Sequence, residues 1–113
     1  MPEPKTELEY VNPYTLLVAV VMSAQATDLG VNRATANLFK IADTPQKMVA
    51  LGEKKLAEHI KTIGLYRMKA KNVIALSKAL IANHDSHVPQ TREELEELPC
   101  VCGETANVIL NVD

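Results

Sequence analysis

Apolar residues recur along this chain every three or four positions, the spacing of a helix face rather than of a strand. Asn12-Pro13 reads as an N-cap followed by proline at the first helical position, and predicts a helix through Tyr14 to about Ala26. Within it, Leu16-Leu17-Val18-Ala19-Val20-Val21-Met22 is apolar all round, so this helix is expected to be buried on most sides. Asp28 reads as the next N-cap, opening a helix in which Val31, Ala34, Leu38 and Phe39 share a face. Thr44-Pro45 repeats the cap-plus-proline signal and starts a short helix from Pro45 to Leu51, stopped at Gly52. A second short helix covers about Lys54 to Lys61, with Leu56, His59 and Ile60 on one side. Thr62 to Tyr66 is a connection in which Gly64 is free to take a positive φ. A long helix follows from about Arg67 to Asn83 on the apolar positions Ala70, Val73, Ile74, Leu76, Leu80 and Ile81.

Asn83 to Pro89 reads as a loop, and Thr91 with Glu94 matches a capping box that starts a short helix to about Glu97. Pro99 stops it, and Thr105 to Val112 reads as a final helix. No convincing strand, internal repeat or low-complexity tract is visible. The pattern predicts an all-α chain of about seven short helices with short connections, in one domain over residues 1–113. Residues from about 92 to 112 have the outline of a helix-hairpin-helix, a small motif that grips a nucleic-acid backbone.

Composition narrows this picture. Apolar residues make up 47% of the 113 positions, enough for a real core, and charged residues 23%, ordinary for a globular protein. The longest apolar run is far too short to span a bilayer, so no membrane association is expected. No basic segment followed by a long apolar one opens the chain, and a cytoplasmic location is the default expectation. The net charge of −2 is not the footprint of a protein held to DNA by bulk electrostatics. It leaves room for a site that uses backbone N–H groups. The two cysteines, Cys100 and Cys102, are too close for an unstrained disulfide, and no second ligand pair stands nearby for a metal. His84 and His87, three apart in a loop, suit weak metal binding or plain solvation, and no metal site is assigned. Arg67, Lys69, Lys71 and Lys78 put positive charge on the long helix, either toward phosphates or as a solvated face.

Several separate motifs, in order, carry a resemblance to one family. Tyr14-Thr15-Leu16-Leu17 leading into Met22-Ser23-Ala24-Gln25-Ala26-Thr27-Asp28 looks like the first core helix of endonuclease III. Ile60-Lys61-Thr62-Ile63-Gly64-Leu65-Tyr66 followed by Lys69-Ala70 is similar to that family, as are Val88-Pro89 through Leu95, Leu98-Pro99 and Thr105-Ala106-Asn107-Val108. The resemblance is collinear over about residues 5–112. It implies a six-helix barrel domain with a helix-hairpin-helix, from DNA glycosylases with AP-lyase activity that remove oxidised pyrimidines in base-excision repair. The implied partner is double-stranded DNA with a damaged or abasic site. The family's second domain, made from its N-terminal helix and its C-terminal portion, is expected to be missing, and its catalytic aspartate and the four cysteines of its [4Fe-4S] cluster to lie beyond Asp113, so no cofactor is expected in this chain.

The same resemblance locates the site and exposes a departure. Gln25 matches a residue that enters the duplex when a nucleotide is flipped out, and Leu65 matches a second wedge residue. The hairpin Leu98-Pro99-Cys100-Val101-Cys102-Gly103-Glu104-Thr105 matches the segment that holds DNA, where the family reads Leu-Pro-Gly-Val-Gly-Arg-Lys-Thr. Cys100 and Cys102 replace two glycines, Gly103 the arginine and Glu104 the catalytic lysine. A cysteine forced to positive φ costs roughly 1–2 kcal/mol, and its side chain crowds a phosphate's approach to the backbone. A carboxylate cannot form the Schiff base a lyase needs, so Glu104 is expected to be non-functional in that reaction. Read alone, Glu104 is an acid favourable at a helix N-terminus, Gln25 a polar residue near a helix end and Leu65 an apolar loop anchor. Three functions remain open: an incomplete glycosylase/lyase domain without lyase activity, a non-enzymatic DNA-binding module, and a fragment without independent activity that self-associates through an uncovered face.

Overall fold

Local capping signals set most of the helix starts. The computed structural model describes residues 10–23, 26–99, 101, 106, 107, 109 and 110. Among these it has α1 Pro13–Met22, α2 Asp28–Ile41, α3 Pro45–Leu51, α4 Glu53–His59, α5 Tyr66–Asn83 and α6 Arg92–Glu96, with no strand. No helix of the described residues is long and apolar enough to cross a membrane.

At the start of α1, the Asn12 side chain accepts the Thr15 N–H at 2.8 Å while the Thr15 hydroxyl accepts the Asn12 N–H at 2.9 Å. This closes a capping box that satisfies two otherwise orphaned donors. Every residue from Tyr14 to Met22 is buried, as the all-apolar run predicts. The helix stops at Met22 rather than Ala26. The Ser23 hydroxyl donates to the Val20 carbonyl at 2.7 Å, and such side-chain bonds compete with a further helical turn. The next cap is Thr27 rather than Asp28. Extended backbone at Thr27 lets its hydroxyl accept the Gly30 N–H at 3.0 Å, leaving Asp28 inside the first turn, where a carboxylate suits the helix dipole. A Cβ on Gly30 would lie 3.1 Å from that hydroxyl, so the cap leaves little room for a side chain there.

Thr44 caps α3, and Gly52 alone joins α3 to α4. With φ at 92°, Gly52 takes the positive angle that the sequence suggests for Gly64. The one-residue link makes α4 start at Glu53 and finish at His59, a shift from the expected 54–61. Helix α5 is the centre of the packing: it lies against α1, α3 and α4, most extensively α3. Tyr14 of α1 and Ser77 of α5 meet hydroxyl to hydroxyl at 2.5 Å, and Ser77 also donates to the Val73 carbonyl at 2.8 Å. Burial pushes the Tyr14 phenol well above its ordinary range, while its bond to Ser77 opposes that shift.

Two expected surfaces of α5 are exchanged. Ile81, assigned to the apolar face, is exposed, whereas Lys69, grouped with the solvated cations, is buried. Lys69 lies four residues before Val73 and so shares its inward face, while Ile81 lies exposed next to the fully buried Leu80. After α5 the chain reverses through Asp85 and Ser86, both with positive φ, and the Ser86 N–H returns to the Leu80 carbonyl at 2.9 Å. Thr91 caps α6 by accepting the Glu94 N–H at 3.3 Å. Glu94 completes only a variant of the expected box, since its carboxylate takes the Thr91 hydroxyl at 3.0 Å. Leu95, Leu98, Val101, Ala106 and Ile109 are all buried.

Candidate nucleic-acid interface

The turn between α4 and α5 holds a local anomaly in the described backbone. Leu65 is the N-cap of α5 with φ 60° and ψ 31°, a left-handed conformation that costs a residue with a Cβ about 1–2 kcal/mol. Gly64 stands one position earlier and would carry that angle at no steric cost. The strained angle instead falls on a residue with a large apolar side chain, and that side chain is 54% exposed. Strain of this kind persists only where the surrounding structure enforces it, and it concentrates at functional sites. Here Ile63 is buried on one side, and the Lys69 N–H bonds back to the Leu65 carbonyl at 3.0 Å on the other.

The electrostatics around Leu65 differ from those of the whole chain. No acidic residue occurs between Glu58 and Asp85, while Lys61, Arg67, Lys69, Lys71 and Lys78 all do. The first turn of α5 has neither an acid nor a side-chain cap, so the positive end of its dipole is uncompensated there. The Arg67 guanidinium lies over the Tyr66 ring, 5.7 Å from its centroid, and donates to the Tyr66 hydroxyl at 3.3 Å. An open groove of about 480 Å³ runs beside them between α4 and α5. Glu53 and Glu58 share its lining with Lys54, Lys61 and Arg67, so it is mixed in charge and not a plain anion pocket. Lys69 is 5% exposed, and its ammonium has no hydrogen-bond partner among the described residues. Burial alone holds its pKa below the usual lysine range.

The residues expected at the site divide into two groups. Leu65 projects into solvent at the start of α5, and Pro99 is partly exposed, whereas the side chains of Leu98 and Val101 point into the core. Anything Leu98 and Val101 offer a ligand therefore comes from the backbone. Gln25, Cys100, Cys102, Gly103, Glu104 and Thr105 lie outside the described residues. The Ala26 N–H donates to the Ser23 carbonyl at 3.0 Å. His84 Nδ1 lies 4.0 Å from a Glu94 carboxylate oxygen, joining the loop after α5 to α6. Among the described residues no three of His, Cys, Asp and Glu are grouped to hold a metal ion. Sequence reasoning missed Met68, which is exposed beside Leu65, and the burial of Lys69. The available signals were that Met68 stands off the apolar period of α5 and that Lys69 stands on it.

Residues 18–112 match the profile described as HhH-GPD superfamily base excision DNA repair protein. The chain belongs to the HhH-GPD superfamily. It is 56% identical over 110 residues to endonuclease III of Rickettsia conorii (strain ATCC VR-613 / Malish 7), covering 97% of this chain and 52% of that protein. Against endonuclease III of Escherichia coli (strain K12) the identity is 50%, with the same shares covered. The fold superimposes with a TM-score of 0.92 on a trapped endonuclease III–DNA covalent intermediate, at 44% identity, covering 98% of this chain and 52% of the other. A non-covalent endonuclease III–DNA complex matches with a TM-score of 0.89 at 45% identity, covering 93% and 49%. The chain thus has the all-α HhH-GPD fold and spans about half the length of the curated relatives it matches.

Proposed function

We propose that this chain is the duplex-gripping half of an endonuclease III-like base-excision-repair protein, and that as it stands it binds double-stranded DNA at damaged or abasic sites without cutting the strand. The observation that carries this reading is Leu65: an exposed apolar side chain on a strained turn, set in an acid-free, cation-bearing stretch of an HhH-GPD fold. A side chain of this kind supplies a wedge when a nucleotide leaves the stack, and the nearby cations and uncapped α5 terminus hold the phosphates that flank it. Gln25 is the second wedge, and the backbone from Leu98 to Thr105 the second grip.

The departure at Glu104 sets the limit of the chemistry. Strand cleavage by a lyase begins with an amine attacking the sugar C1′ and forming a Schiff base, and a carboxylate forms none. The two cysteines of the chain fall short of the four thiolates of a [4Fe-4S] cluster, so no step of this reading passes through one.

The test is a titration of duplex DNA carrying an abasic-site analogue, repeated across salt concentrations, with borohydride trapping on true abasic DNA in parallel. Binding that weakens with salt and prefers the abasic duplex is expected, with no trapped product. Absence of binding at low salt overturns the DNA reading. A covalent product that disappears on substituting any one lysine overturns the reading of Glu104.

A further inference from the structure

We propose that Met68 is a second apolar contact to the duplex, standing beside Leu65 and packing its thioether against bases exposed where the stack is opened; this rests on the DNA reading above. Met68 is 58% exposed, whereas Met22 and Met48 are fully buried. The other large apolar side chains in the first three turns of α5 after it, Val73, Ile74 and Leu76, all face the core. Leu65 is the N-cap of α5 and Met68 stands three positions later in its first turn, so both exposed apolar side chains lie at the N-terminal end of the helix and form the lip proposed here.

The surroundings of this lip select its occupant. Lys61, Arg67 and Lys71 are exposed around it, and no acid lies between Glu58 and Asp85. Exposed apolar side chains in a cation-bearing stretch of chain suit a polyanion with flat apolar faces, which describes a nucleic acid whose bases have been unstacked. Methionine fits that role because its unbranched, polarizable side chain adapts to any base face, giving contact without sequence preference.

The full chain is mixed with a duplex carrying an abasic-site analogue flanked by 2-aminopurine, and three readings are taken. Hydrogen peroxide followed by peptide mass analysis is expected to oxidise Met68 in the free protein, with Met22 and Met48 as buried controls, and saturating duplex lowers Met68 oxidation several-fold. Met68→Ala leaves the melting temperature unchanged, weakens binding about 5-fold and lowers the 2-aminopurine signal, while Met68→Leu retains both. Met68→Lys keeps low-salt binding but loses the 2-aminopurine signal. If the wild type binds and Met68→Ala binds equally with Met68 unprotected, the Met68 inference falls and the DNA reading stands. If heparin, a polyanion without bases, protects Met68 as well as the duplex does, the lip is a charge site only and the inference falls. Absence of binding by the wild type removes the DNA reading and this inference with it.

Discussion

Substituting Leu65 by glycine and by alanine separates strain from contact at the turn before α5. Leu65 is held at φ 60°, ψ 31°. A left-handed residue with a Cβ is strained by about 1–2 kcal/mol, whereas glycine is not. Glycine in turn loses more conformational freedom on folding, a cost of roughly 0.5–1 kcal/mol against alanine. Both substitutions remove the same partly buried apolar contact, so that loss cancels between them. Leu65→Gly is therefore expected to be more stable than Leu65→Ala by about 0.5–1 kcal/mol, the reverse of the usual order. For a chain of this size such a difference moves Tm by about 2–5 °C. Thermal and urea unfolding monitored by helical circular dichroism measure it, with equal m-values showing that the denatured states match. In the DNA titration the two variants behave alike, since neither carries the wedge. An alanine variant that melts at or above the glycine variant refutes the strain argument. A glycine variant that binds abasic duplex as the wild type does refutes the wedge.

Lys69→Met keeps the stem of the side chain and removes its unpartnered ammonium, so stability at neutral pH is expected to rise by on the order of 1–3 kcal/mol. Because burial lowers the folded-state pKa of Lys69, the unfolded chain holds more protons between that value and the ordinary lysine range. Wild-type stability then rises with pH through that window and carries the full penalty below it, and urea titrations from neutral to alkaline pH should show this slope diminished in Lys69→Met. Tyr14→Phe removes one hydrogen bond but leaves Ser77 donating to Val73, at a cost of about 1 kcal/mol, whereas Ser77→Ala strands the buried phenol at about 1–3 kcal/mol. The double variant should cost less than the sum, and strict additivity in unfolding free energy would rule out the coupling. Thr91→Ala removes the cap of α6 and should destabilise by about 1 kcal/mol, while Thr91→Ser restores most of it, read by chemical unfolding.

The start of α6 was legible in the sequence, because it depends on a local signal. Thr91 caps α6 as its capping signal predicts, and the helix ends before Pro99. Leu65 was legible through resemblance alone: its spacing marks it only as an apolar loop residue. Its left-handed backbone depends on how Ile63 and α5 are anchored to the core, and no local pattern encodes that when a glycine stands next to it.

The sequence by itself determined the class of fold and the approximate extent of α1 to α6, because caps, prolines and apolar period are properties of short segments. Cap choice between Thr27 and Asp28 turned on which side chain could reach the Gly30 N–H, and the Gly52 link on how closely α3 and α4 join. The burial of Lys69 and the exposure of Met68 follow the helical period of α5, whereas the tertiary structure alone decided that Ile81 is outside and that the strained angle falls on Leu65. Those outcomes depend on which helices lie against α5 along its length. Burial is a relation between elements distant in the chain, and a helical period shows only which residues share a face.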